Sequence, residues 1–418
     1  MALFKFEGDL ESLSEPQLKL VESVLQKHGF KEGKVTVEPV GKKGDNYAAN
    51  VKRFIHESDG DTFKMIGKSA PAAEILRKLM KTAVLFNNEI IMYQEVIPKL
   101  NNLQDVAGIP DSERIRFPVC YGVLNEEPNE LILLEDLSES NFEMLNRFVP
   151  LSNEIVRLVL KDLAIFHSLS YALKEFQPET YKNFVGKIIN MWALLEEDVE
   201  TQMFFEATEN NLKALMDSEK YKKIITGSLS QTKTHVKKIY NYEKNSKYSV
   251  IQQGDCWSNN IMFKLEKGKV IENVMIDYQL SKESNPAADL LYFIFNCTDH
   301  GTRVKHYHEW IDYYHEMLDF SLANHGLKSN RILPRDQLDA DLRRYSRATF
   351  GFGLLHSSMV VRESKDALDF KALEGTKEEM TDIAMAQIKA QNLDGSTVMA
   401  LKHRIMGLVD SCLELGLL

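Results

Sequence analysis

Residues 249–280, SVIQQGDCWSNNIMFKLEKGKVIENVMIDYQL, constrain this chain more than any other stretch. The pattern predicts strand, tight loop, strand, turn, strand. A short β-branched and apolar run, Ser249 to Gln252, stops at Gly254; Asp255 follows at once and Asn260 comes five residues later. A hairpin follows with Gly268 near its tip, and its returning strand Val274-Met275-Ile276 ends at Asp277. In an antiparallel hairpin the start of the first strand lies beside the end of the second. Asn260 and Asp277 are therefore expected to converge, with Asp255 one loop away. A carboxamide and a carboxylate so placed suit Mg²⁺ on a nucleotide, and the further carboxylate can aim a hydroxyl at the γ-phosphate.

Taken singly, these residues say little, because an Asp after a strand is an ordinary turn residue and Asn-Asn an ordinary loop. In order, Asp255-x₄-Asn260 meets the D-x-x-x-x-N spacing of a phosphoryl-transfer loop, and Asp277 supplies the later metal-binding Asp. The runs GDCWSNNIMFK and IDYQLSKESNPAADLLYF resemble the insect ecdysteroid-kinase-like (CHK kinase-like) proteins, relatives of choline and aminoglycoside phosphotransferases. That family's HGDxWxNN and DFQ are met with Gln253 in place of the His and Tyr278 in place of the Phe. The resemblance extends over residues 30–400 and is concentrated at 249–295. It implies an α+β, protein-kinase-like fold of two lobes. Residues 1–138 would form a small β-rich lobe and 139–418 a large, mostly helical one, with the boundary near 138–142.

Composition sets the outer limits. The 418 residues are 44% hydrophobic and 27% charged, ordinary for a globular protein and enough for two lobes with a sizeable core. A net charge of −10 argues against a nucleic-acid or anionic-membrane partner, either of which needs a basic surface. Four scattered cysteines lack C-x-x-C spacing, which points away from zinc and disulfides and towards a reducing compartment. Cys256, beside Asp255, reads as a small loop residue. The acidic start MALFKFEGDLESLSE does not resemble a signal peptide, so a cytoplasmic location is expected.

Along the chain, residues 16–30 predict an amphipathic helix with Leu18, Val21, Val24 and Leu25 on one face. The stretch VTVEPVGKKGDNYAANVKRFIHE predicts strand–turn–strand with Gly41 and Gly44 at the bend. The resemblance makes this the phosphate-covering loop, and glycines there let backbone N–H groups approach phosphate oxygens. TFKMIGKSAP predicts a strand with Lys64, Ile66 and Lys68 on one face. The family's strand-end position favours Lys68 as the α/β-phosphate lysine, with Lys64 as the competitor. Residues 82–100 predict a helix ending near Pro98. The family's FxxE makes Glu89 the partner of the strand lysine, with Glu95 the runner-up. ELILLEDLSES resembles the hinge, where backbone groups of Glu135 and Leu137 would hold adenine.

Beyond Leu151 the chain predicts helices. His167, in the family's FH-x-x-S, reads as a structural histidine, and Asp289 as a brace for the catalytic loop. Trp310, Tyr313, Tyr314, Met317 and Phe320 form an aromatic stripe that is core or, in part, the wall of an apolar pocket. The expected reaction moves the γ-phosphoryl of ATP to a hydroxyl of a small lipophilic alcohol, such as an ecdysteroid, with Mg²⁺ and without a protein partner. Asp255 would orient the hydroxyl, Asn260 and Asp277 hold the metal, and Lys68 with Glu89 anchor the phosphates. Two rivals stand beside it: a choline- or aminoglycoside-type kinase acting on a cationic alcohol, and a non-catalytic pseudokinase that binds ligand.

Overall fold

Period-two alternation in the first third of the chain builds a sheet with two differently employed faces. The computed structural model describes residues 4–41, 49–58, 60–194, 199–243, 246–362 and 393–418. Strands β1 (Phe4–Gly8), β2 (Gly33–Pro39), β3 (Asn50–Ser58), β4 (Asp61–Ser69), β5 (Cys120–Leu124) and β6 (Leu131–Glu135) form one six-stranded sheet. Their spatial order is β1-β2-β3-β4-β6-β5. One face carries Val35, Val37, Phe54, Met65, Leu131 and Leu133 onto the helix Glu15–Lys27, which contributes Val21, Val24 and Leu25. Gln17 is the other buried residue of that helix, its amide donating to the Glu130 carbonyl at 3.3 Å. The opposite face presents Arg53, Ile66, Lys68 and Leu134 to a cleft.

The helix expected over 82–100 continues past Pro98. Thr82–Ile91 is α-helical, Met92–Val96 is a π turn, and Ile97–Val106 resumes the α-helix. Proline lacks an N–H, and in an unbroken α-helix its ring clashes with the carbonyl four residues back. The π turn loosens the ladder just ahead of Pro98, which then takes the second position of the new helical segment.

From Asn153 the chain is mostly helical. Two 24-residue helices, Asn153–Phe176 and His300–Ala323, pack along each other, and Pro286–Cys297 packs on Arg335–Val360. Into this frame are set β7 (Phe142–Glu143), β8 (Val250–Ile251), β9 (Ile261–Glu266), β10 (Lys269–Met275) and β11 (Glu283–Ser284). They form a three-stranded sheet β10-β9-β7 and the antiparallel pair β11-β8. The whole is a two-lobed α+β architecture with the hairpin β9-β10 at the junction. Among the described residues no helix is long and apolar enough to cross a membrane.

A column of aromatic rings joins the parts. Tyr93 meets Tyr278 edge-on at 5.7 Å, Tyr278 lies 6.2 Å from Phe166, and Phe166 meets Phe117 at 6.0 Å. Trp310 and Tyr314 are buried core, whereas Phe320 is exposed. Phe166→Ala would leave a cavity in the middle of the column. It should lower the unfolding free energy by about 3–5 kcal/mol, read as a fall in the urea midpoint at unchanged m-value.

Candidate active site

The loop after β8 is held by a carboxylate thirty-odd residues away in sequence. Asp289 Oδ2 accepts the Gln253 N–H at 3.0 Å and Oδ1 accepts the Gly254 N–H at 3.0 Å. His167 Nε2 lies 3.2 Å from the same Oδ2, and its Nδ1 lies 2.8 Å from the Tyr314 hydroxyl. Asp289 is thus a brace for the loop, with Asn285 capping its helix instead. Gly254 has φ +84° and passes so close to β11's approach that an added Cβ would sit 2.1 Å from the Leu280 carbonyl oxygen. No other residue type fits there.

Gln253 uses its whole amide. Its Nε2 donates to the carbonyls of Ile276 at 2.9 Å and Asp277 at 3.0 Å, while Oε1 accepts the Asp255 N–H at 2.6 Å. It therefore clamps the Asp255 loop to the end of β10. Asp255 itself is partly buried. Its Oδ1 accepts the Tyr292 hydroxyl at 2.7 Å and its Oδ2 accepts Asn260 Nδ2 at 2.9 Å. Burial, reinforced by the charge of Asp277, pushes its carboxyl up to about 7 against those two hydrogen bonds.

The hairpin brings its corners together as expected, the Ile276 N–H donating to the Asn260 carbonyl at 2.9 Å. Asp277 sits at φ +61°, a left-handed conformation that Asp tolerates better than most residues. Lys68 Nζ donates to Glu89 Oε2 at 2.6 Å, Asp277 Oδ1 at 2.8 Å and Gln279 Oε1 at 3.3 Å. Burial works against the Lys68 ammonium, but Asp277 and Glu89 overcome it and raise its pKa above the usual lysine value. Burial lifts the Glu89 carboxyl to about 7, Lys68 pulling it down and Asp277 adding to the rise. The competitors lie elsewhere: Lys64 reaches Glu139 at 2.8 Å and Glu95 reaches Lys187 at 2.6 Å.

A cleft of about 980 Å³ lies between the sheet and the hairpin. Gly41, Ile66, Lys68, Leu134, Asn260 and Asp277 line it, together with Glu135 and Leu137. Glu135 turns its carboxylate to Arg116 at 2.5 Å, which leaves its main chain at the cleft wall. Gly44 lies outside the described residues. A second pocket, whose roughly 710 Å³ includes space open to solvent, adjoins the loop, lined by Gly254 and Tyr292 among others. The aromatic stripe of helix His300–Ala323 lines neither cavity.

The donor set fits a magnesium ion. Asp277 and Glu89 share the Lys68 ammonium, and the repulsion of Asp277 shows in the raised Asp255 carboxyl. Asn260 donates through Nδ2, leaving its amide oxygen as a ligand beside Asp277. Among the described residues no cluster of three or more His, Cys, Asp or Glu forms a complete metal cage. Mg²⁺ is accustomed to one or two protein ligands with phosphate and water oxygens completing its octahedron.

Tyr292 and Asn88 have no motif of their own, whereas Gln279 stands where the family's DFQ has its Gln. Tyr292 bonds Asp255, Gln279 bonds Lys68, and Asn88 donates to the carbonyls of Ile189 at 2.8 Å and Gln279 at 3.3 Å. Tyr292 stands three residues after Asp289, so both lie on one helix face, and that spacing was its only signal.

The two-lobed α+β fold and the match to a sequence-family model support a phosphotransferase. The chain belongs to the ecdysteroid kinase-like family, a family of small-molecule kinases, whose sequence model matches residues 43–327, a narrower span than 30–400. A search of curated protein sequences finds no match. Among solved structures, choline kinase from Cryptosporidium parvum Iowa II superposes with TM-score 0.47 at 9% identity, covering 96% of this chain and 98% of that one. The GDP complex of a variant aminoglycoside 2′-phosphotransferase-IIIa gives TM-score 0.44 at 14% identity, covering 91% and 99%. Spectinomycin phosphotransferase with ADP and spectinomycin gives 0.34 at 13% identity, covering 84% and 93%.

Gln253→His keeps one donor and one acceptor and loses one of the three bonds. Activity should stay within about tenfold of the parent, one neutral hydrogen bond being worth about 1 kcal/mol. Gln253→Leu removes all three and strands the buried Asp255 N–H, so its rate should fall further. Equal rates for the two variants in a steady-state assay would show that the clamp is idle.

Proposed function

We propose that this protein transfers the γ-phosphoryl group of ATP to a hydroxyl of a small lipophilic alcohol, an ecdysteroid or similar steroid or xenobiotic. The observation that carries this reading is that the two side chains bonded to Asp255 line different cavities, Asn260 the larger cleft and Tyr292 the smaller. Lys68 and Asp277 also line the larger cleft, and Gly254 the smaller. In the larger cleft, Ile66 and Leu134 would pack against adenine, main-chain groups of Glu135 and Leu137 would bind its edge, and Gly41 would cover the phosphates. Asn260 and Asp277 would hold Mg²⁺, which when bound neutralises charge on the phosphates.

The protein's own residues account for the rest. Lys68, fixed by Glu89, anchors phosphate oxygens. Asp255 accepts the hydrogen bond of the acceptor hydroxyl and takes its proton as the new P–O bond forms. Tyr292 and Asn260 hold that carboxylate in one orientation. Only twelve residues separate Asp277 from Asp289, which leaves no long activation segment for docking a peptide, so the acceptor is a small molecule and no protein partner is required. Four free cysteines fit a reducing compartment, the cytoplasm. A cationic acceptor of the choline or aminoglycoside type is the enzymatic rival. A pseudokinase is the other, and the intact set Lys68, Asp255, Asn260 and Asp277 weighs against it.

Asp255→Asn should lower kcat by at least about 10²-fold while affinity for MgATP, measured by titration calorimetry, changes little. A variant retaining more than about a tenth of parental kcat would remove Asp255 from the chemistry.

The raised carboxyl gives a pH test. The ionised form is the one that accepts a proton, so kcat/KM should fall with decreasing pH along a one-proton limb whose midpoint lies near the free protein's value of about 7. Stability moves the opposite way. The Asp255 contribution favours the fold fully below its ordinary value of 3.8 and is lost as pH rises through about 7. Denaturant midpoints measured across that window, parent against Asp255→Asn, should converge at low pH. Parallel curves would show that Asp255 does not titrate there.

A further inference from the structure

The second cavity has a chemical bias of its own. Much of its wall is apolar, with Ile239, Leu280, Ala288 and Phe352 among its members. Three charged side chains reach it: Glu243, Asp289 and Lys282. Both carboxylates are already engaged. Glu243 Oε1 accepts the Tyr345 hydroxyl at 2.6 Å, the Asn285 N–H at 3.3 Å and the Ser284 hydroxyl. Burial raises its carboxyl, which further weakens it as a partner for a cation. Asp289 takes the two loop N–H groups and His167.

Lys282 differs. Among the described residues its ammonium makes no hydrogen bond or ion pair, and Asp289, Glu243 and Asp255 act on it only from a distance. It is only partly exposed, and burial lowers its pKa. Beside it Gln252 offers a buried Oε1 that has no partner, its Nε2 being bonded to the Asn285 carbonyl at 2.6 Å. An unneutralised ammonium in a largely apolar wall gains from a ligand that brings an acceptor oxygen. A ligand that brings a second positive charge meets like charge where water screens it poorly.

We propose that Lys282 is the specificity-determining residue of this cavity, selecting a lipophilic alcohol that carries a hydrogen-bond-accepting carbonyl or carboxylate and rejecting amino and quaternary-ammonium alcohols. The inference rests on reading this cavity as the acceptor site. Lys282 supplies the attraction and the repulsion together: the ammonium meets the oxygen of the favoured ligand and the charge of the disfavoured one.

The experiment uses the full chain and three probes: a hydroxylated steroid ketone, a steroid hydroxy acid and choline. Binding is measured by titration calorimetry without nucleotide, and phosphate transfer separately by product mass with MgATP. The parent should bind the ketone and the acid and bind choline at least about tenfold more weakly. Lys282→Glu should shift the ratio of acid to choline affinity by about a hundredfold towards choline, a tenfold change on each. Lys282→Gln, the milder change, should abolish the preference for the acid over choline while keeping ketone binding, with thermal unfolding as the check on folding. Failure of both oxygen-bearing probes to bind, a parental preference for choline, or an unchanged ratio in Lys282→Gln overturns the proposal, even if Lys282→Glu does not fold. Charge-dependent binding without phosphate transfer to any probe would instead defeat the phosphotransferase reading and leave the selectivity standing. Transfer that ignores probe charge would defeat Lys282 alone.

Discussion

One ammonium ties three remote parts of the chain together. Lys68 Nζ on β4 binds Glu89 on the helix Thr82–Ile91 and Asp277 at the end of β10. Each partner would be poorly placed alone. A buried carboxylate without a cation tends to take up a proton, and a buried ammonium without carboxylates tends to lose one. Joined, they fix the sheet, the helix and the hairpin at one point, and that point is the floor of the cleft. Distance in sequence makes this a tertiary constraint: 21 residues separate Lys68 from Glu89, and 209 separate it from Asp277.

A second layer keeps that point rigid. Asp289 holds two loop N–H groups, and Gln253 holds the same loop to the carbonyls of Ile276 and Asp277. Tyr278, between these polar clamps, faces Tyr93, Phe166 and Phe117 in the aromatic column. Polar bonds thus set the angles of the loop while apolar packing sets its depth. The arrangement lets Asp277 adopt a left-handed backbone without the loop relaxing away from it.

How much of this the sequence reveals follows from how local each feature is. The hairpin corners were legible because turn residues and period-two strands fix Asn260 and Asp277 relative to each other. The choice between Lys64 and Lys68 was not settled by periodicity, since both lie on one face of β4; depth separates them, Lys64 reaching the more exposed Glu139 at the cleft rim. Pro98 misled because the rule against proline assumes an α ladder, and a π turn precedes it. Tyr292 carried no local signal beyond its spacing from Asp289, and Lys282 carried none, because the groups around each are brought near only by the fold. Gln253 was visible as a departure from the family's His. Its three bonds were not, because two of the partners are main-chain carbonyls that have no sequence signature.

Two aspartates of one site end with different chemistry, and environment alone separates them. Asp277 has an ammonium at 2.8 Å and is partly exposed at the cleft. Asp255 has only neutral hydrogen-bond donors, Tyr292 and Asn260, and lies within the field of Asp277. Moving the two residues' backbone positions apart by a single register step would cost Asp277 its contact with Lys68 and relieve Asp255 of its neighbour's repulsion, leaving burial to raise its carboxyl alone. The register of β9 and β10 is therefore an electrostatic device as well as a packing one. It sets one carboxylate against an ammonium and leaves the other, raised to about 7, able to gain and lose a proton near neutral pH.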